Sequence, residues 1–176
     1  MNKNLIAIAV LAASAFSTSA FAAGGKVYFT GEIIDKACTI ETDVDKMTVK
    51  LGKIHVGEFG GASDVTAGSL GFNVILKDCP ESVTQNGAAV RFAGTQVNGN
   101  GSVLALTNEP DVATGVGIQI ADDQGSVINL HKDSRVYQLS STEDNLLGFV
   151  ASYYSTSANI VAGKANAVSD FSISYK

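Results

Sequence analysis

Gly163-Lys164-Ala165-Asn166-Ala167-Val168-Ser169-Asp170-Phe171-Ser172-Ile173-Ser174-Tyr175-Lys176 ends the chain, and its spacing decides the fold. Phe171, Ile173 and Tyr175 fall on one face, while Ser172, Ser174 and Lys176 fall on the other. A period of two is the spacing of a half-buried strand. The chain is therefore expected to finish inside its sheet. A domain that closes on its final strand must draw any further strand from elsewhere.

The same period recurs upstream. Leu70, Phe72, Val74 and Leu76 share a face, as do Ala88, Val90 and Phe92, then Val116, Ile118 and Ile120, and then Phe149, Ala151 and Tyr153. Turn chemistry separates these runs. Asn98-Gly99-Asn100-Gly101 and Asp122-Asp123-Gln124-Gly125 are hairpin signals, Asn108-Glu109-Pro110-Asp111 reads as a surface turn, and Gly57–Gly68 as a mobile loop. A sustained 3.6-residue apolar period is absent. Many short strands in a chain of this length predict an all-β sandwich in one domain.

The start of the chain reads as an export signal. Lys3 and the free amine supply positive charge, Leu5–Ala15 an apolar run, and Ala20-Phe21-Ala22 a small-x-small cleavage site. The run is too short and alanine-rich for a membrane span, which needs about 20 apolar residues. Cleavage after Ala22 leaves a chain from Ala23 to Lys176. Without Lys3, eleven basic residues face seventeen acidic ones. That excess, with no Lys or Arg cluster, argues against nucleic acid as a partner. Cys38 and Cys79 fit an exported chain as one disulfide, free buried thiols being the alternative.

Several segments, taken in order, resemble subunits of chaperone–usher pili, the type 1-like fimbriae of Gram-negative bacteria. The penultimate Tyr175 and Gly163, fourteenth from the end, are similar to that family's C-terminal signature. Gly31-Glu32-Ile33-Ile34-Asp35-Lys36-Ala37-Cys38 looks like its first strand, and Gly71–Cys79 like the strand that delivers the second cysteine. Val103–Leu106, Gly115–Ile120 and Ala151–Tyr154 are similar to its middle strands. The resemblance implies an incomplete immunoglobulin-like β-sandwich that lacks its final, seventh strand and is completed by a donor strand from another subunit. A periplasmic chaperone first fills the groove, and a neighbouring fimbrial subunit, added at the outer-membrane usher, then replaces it. Strand addition of this kind derives its affinity from main-chain hydrogen bonds and alternate side chains.

Both halves of such a joint are legible. The donor is Val27, Phe29, Gly31 and Ile33 on one face, preceded by Gly25, within an extension spanning residues 23–37. The acceptor is the groove beside Gly163, Phe171, Ile173 and Tyr175 in a pilin domain spanning residues 38–176. Gly31 is expected where the receiving groove is shallow. The expected function is a structural fimbrial subunit exported through the periplasm to the cell surface, contributing to adhesion and without catalysis or cofactor. The fifteen-residue extension before Cys38 is similar in length to that of minor subunits, so an adaptor or terminator of the fibre is the alternative. A self-contained carbohydrate-binding sandwich is a second one.

Other motifs carry little chemistry. His55 and His131 lack partners at ligand spacing, Asp133 being the nearest. Asp43 with Asp45, and Asp122 with Asp123, lack the rest of a calcium loop. Gly115-Val116-Gly117 reads as a tight spot in a strand instead of a dinucleotide fingerprint. Tyr28, Tyr153 and Tyr154 are read as packing residues before a sugar-binding surface.

Overall fold

A computed structural model describes residues 26–41 and 47–176. The expected signal sequence, Gly25 and the Asp43–Asp45 pair lie outside the described residues. Residues from Ile34 onward form one compact unit. Lys26–Ile33 is described separately: it joins no ladder and its side chains are exposed.

Among the described residues, eight strands build two sheets. Their ranges are β1 Thr39–Ile40, β2 Thr66–Lys77, β3 Ala88–Ala93, β4 Gln96–Val97, β5 Asn100–Leu104, β6 Val116–Asp122, β7 Asn145–Ser155 and β8 Asp170–Tyr175. The larger sheet runs β1-β2-β7-β6-β5-β4, and β3 pairs with β8 in a second sheet. Every strand pair is antiparallel. Asn98 and Gly99 take positive φ values of 46° and 77°, the conformation a two-residue turn between β4 and β5 demands.

Register places the alternating apolar residues inward. Phe72 stands opposite Phe149, Val74 opposite Leu147, and Ile120 opposite Ala151. On the facing sheet Val90 meets Ile173 and Phe92 meets Phe171. Phe149, 2% exposed, joins the layers. Its ring centroid lies 5.1 Å from Phe92 and 5.6 Å from both Phe72 and Tyr137. Burying such a side chain contributes about 1.5–3 kcal/mol, and each edge-to-face pair about 0.5–1.5 kcal/mol more.

Cys38 and Cys79 form a disulfide that links the approach to β1 with the exit from β2. The buried Asn145 amide donates to Leu76 O and Cys79 Sγ, and its Oδ1 accepts from Ser140 N at 2.6 Å.

Two sequence expectations need correction. Gly31–Cys38 is not a strand; pairing starts at Thr39, opposite Lys77. β2 ends at Lys77 and Asp78 turns the chain with φ 51°, so β2 supplies no ladder for residues before Cys38. Gly57–Gly68 is not a featureless loop. Val56–Phe59 is a short 3-10 helix whose Phe59 is buried in the core, and Thr66–Gly68 already belongs to β2.

A candidate strand-binding groove

Among the described residues, no strand pairs with the second edge of β8. β3 holds one edge of β8, and β3's far edge is covered by residues 131–137. Lys176 N–H donates to Gly87 O, so Gly87 and Lys176 are a hydrogen-bonded pair. Alternation along an antiparallel ladder then assigns Ser174, Ser172 and Asp170 to β3. The backbone groups of Phe171, Ile173 and Tyr175 point to the opposite edge. Upstream, Lys164 N and O bond to Asp111 and Ala113, and Asn166 O accepts from Thr107 N. The same parity therefore continues through Ala165, Ala167 and Ser169.

Side chains follow the same rule. Ala165, Ala167, Ser169, Phe171, Ile173 and Tyr175 are half-buried, whereas Asn166, Val168, Asp170 and Ser172 are exposed. Lining the same groove, Met47, Val49 and Leu51 are half-buried and Thr48 and Lys50 exposed, in a stretch outside both sheets. Between these walls runs a groove of about 500 Å³, floored by Phe72, Phe92, Ile118, Ile120 and Tyr153. It shares Gly52, Tyr153, Ala165 and Asn166 with a second cavity of about 480 Å³ lined by Ile54, Phe59, Ile160 and Gly163. Among the described residues no strand pairs with this edge, and a free strand edge beside an apolar groove is a template for another strand.

Gly163 and Tyr175 fix the two ends. A Cβ on Gly163 would lie 2.5 Å from Asp111 O and 2.6 Å from Ala113 N. Only glycine lets this segment lie against residues 111–114, where Val161 bridges Thr114 and Lys164 bridges Val112. At the other end the Tyr175 hydroxyl accepts from Cys38 N at 3.0 Å. Lys176 Nζ donates to Asp133 Oδ2 at 2.5 Å, and Arg91 engages the other oxygen of the same carboxylate. Lys176 first, and Arg91 with it, hold the Asp133 carboxyl below its ordinary range.

The donor candidates have the complementary property. Val27 is 76% exposed, Phe29 92% and Ile33 100%, with Tyr28 and Gly31 also exposed. Apolar side chains this exposed in one short run mark an interaction segment.

The remaining candidates serve the fold. His55 Nδ1 accepts from Gly57 N and caps the 3-10 helix, while the His131 ring pairs with Gly94 O. Asp122 Oδ1 accepts from Gln124 N and Ser126 N, so this carboxylate shapes a turn. Gly117 is a tight spot, since a Cβ there would lie 2.5 Å from Val103 Cγ1. Tyr153 donates to Gly52 O and Tyr154 to Asp64 Oδ1, whereas Tyr28 is exposed. The described residues contain no cluster of three or more metal-ligating side chains, and no helix among them is long and apolar enough to cross a membrane. Sequence reasoning missed Met47, Val49 and Leu51, whose alternation alone does not say what they face.

An immunoglobulin-like sandwich short of one strand is the architecture of chaperone–usher pilins. The chain belongs to the fimbrial protein family, whose sequence model, described as "Fimbrial protein", matches residues 27–176. It is 35% identical over 187 residues to the type-1 fimbrial protein A chain of Escherichia coli K12, covering all of both chains. It is also similar to the crystal structure of the Burkholderia pseudomallei antigen and type I fimbria protein BPSL1626, with 33% identity and a TM-score of 0.61. That match covers 81% of this chain and 91% of the other. The fold is shared with the P pilus rod subunit PapA at 18% identity and a TM-score of 0.65, over 80% of this chain and 100% of that one. The protein is a structural subunit of a pilus and hence a surface component.

Proposed function

We propose that the chain polymerises by strand donation. Residues 23–37, freed by removal of residues 1–22, fill the groove of the domain spanning residues 38–176 in a neighbouring subunit. Val27, Phe29 and Ile33 enter the apolar floor, and Gly31 lies where the groove is shallow. The open edge that runs from Gly163 through Phe171 to Ile173 receives the ladder. The observation that carries this reading is a pairing of opposites. An exposed alternating apolar segment exists in the same chain as a strand edge beside an apolar groove that no described strand pairs with.

Burying three such side chains contributes roughly 5–9 kcal/mol before ordering costs. Donor and acceptor are different surfaces, so the contact is heterologous and propagates as an open fibre unless its rotation closes. A groove lined so largely by apolar residues needs a cover before assembly. A periplasmic chaperone and the outer-membrane usher supply that service, and the finished fibre contributes to adhesion. No catalysis is assigned to the chain. The open groove favours a subunit that both accepts and donates over a terminator.

The direct test is Phe29→Asp. The variant should be captured by the chaperone but excluded from fibres, because a carboxylate cannot enter the groove unpaired. Fibres containing this variant at parental abundance would overturn the proposal.

A further inference from the structure

The outward-facing residues of both strands carry information that the apolar ones do not. Lys26 and Glu32 stand six residues apart on the polar face of the donor segment. Lys164 and Asp170 also stand six residues apart, on the rim of the groove. The even-numbered residues between them are Tyr28 and Thr30 on the donor, and Val168 and Asn166 on the rim.

Resting on the strand-donation reading, we propose that these rim residues select a second copy of this chain as donor and fix its register. An antiparallel strand with Lys26 opposite Asp170 brings Glu32 opposite Lys164, Tyr28 opposite Val168, and Thr30 opposite Asn166. Both charge pairs are then of opposite sign. Val168, 75% exposed, gains an aromatic cover. The parallel alternative that matches the same positions sets Lys26 beside Lys164 and Glu32 beside Asp170, two like-charge pairs.

The backbone agrees with this register. Odd-numbered residues from Ala165 to Tyr175 present their N–H and C=O to the groove, so odd–odd pairs carry the hydrogen bonds. Val27, Phe29 and Gly31 then bond opposite Ser169, Ala167 and Ala165, with their side chains turned inward. The even–even pairs become the non-hydrogen-bonded positions, where opposite side chains come closest. Lys164 already lies 3.6 Å from Glu109 Oε2, but Glu109 also accepts from Asn166 at 2.7 Å. Lys53 lines the same end of the groove and reinforces its positive sign.

Two measurements on the full chain, assembled in its own export system, test the register. Lys26→Glu or Asp170→Lys alone should make purified fibres dissociate about threefold faster in denaturant, and the double reversal should restore the parental rate. Separately, Tyr28→Cys with Val168→Cys should link successive subunits into a ladder of covalent multimers on non-reducing gels. A non-hydrogen-bonded pair has Cα atoms within disulfide reach, whereas Tyr28→Cys with Ser172→Cys is out of register and should give no ladder. Fibres that form but yield no Tyr28–Val168 ladder overturn the register and leave strand donation standing. If the cysteine variant does not assemble, the charge pair decides, and a double reversal no more resistant than either single change overturns the proposal. Strand donation itself is tested separately, by Phe29→Asp.

Discussion

The hydroxyl of Tyr175, next to last in the sequence, accepts a hydrogen bond from the backbone N–H of Cys38 at 3.0 Å. One contact thus ties the end of β8 to the disulfide at the front of the domain, across 137 positions. Tyr175→Phe keeps the ring and removes the acceptor, leaving a part-buried N–H unpaired. The expected loss is about 1–2 kcal/mol, read from denaturant midpoints at unchanged slope.

Gly163→Ala should cost more than a helix or strand glycine normally would. The added methyl meets backbone atoms of residues 111–113, which cannot rotate away as a side chain would. Overpacking of this kind costs roughly 1–3 kcal/mol. Because Gly163 lines the cavity that adjoins the groove, peptide capture should weaken together with stability, and titration calorimetry of the variant checks this.

Tyr137 donates to Gly148 O at 2.7 Å beneath the Arg135 guanidinium, which lies 3.8 Å over its ring. Burial foremost, countered by Arg135, pushes its pKa from 10.0 up to about 12. The folded state therefore holds this proton more tightly than the unfolded state. The resulting stabilisation is complete below pH 10 and is lost as pH rises toward about 12. Thermal scans should show a drop across that window, and Tyr137→Phe should flatten it.

Reduction, or Cys38→Ser with Cys79→Ser, should lower stability by about 4 kcal/mol in the chain-entropy description of a loop of this size. The same change releases the approach to β1, so the donor segment should become more sensitive to protease. Equal cleavage rates in oxidised and reduced protein would contradict this.

Much of the sandwich was readable because burial imposes its own period. Phe72, Val74 and Leu76, or Phe171 and Ile173, alternate since one face of their strand meets the core. Asn98-Gly99 was readable because few other residues accept its turn. What was hidden depended on neighbours distant in sequence. Gly31–Cys38 has a strand's pattern, but a strand also needs a partner, and β2 is used up at Lys77. Gly57–Gly68 looked loose from its glycines, yet Phe59 drops into the core and organises it. Met47, Val49 and Leu51 form a groove wall only because β8 leaves a gap opposite them, a fact of tertiary placement that three alternating residues do not announce.

The central claim is that the sandwich borrows the strand it lacks. It is tested most directly by thermal unfolding of the chain without residues 23–37, with and without a synthetic peptide of those residues. Strand donation predicts that saturating peptide raises the midpoint by well over ten degrees, since a ligand at a thousandfold its Kd contributes about 4 kcal/mol. A peptide carrying Phe29→Asp should have little effect. An unchanged midpoint at saturating wild-type peptide, in a truncated domain that unfolds as cooperatively as a complete one, would contradict the claim.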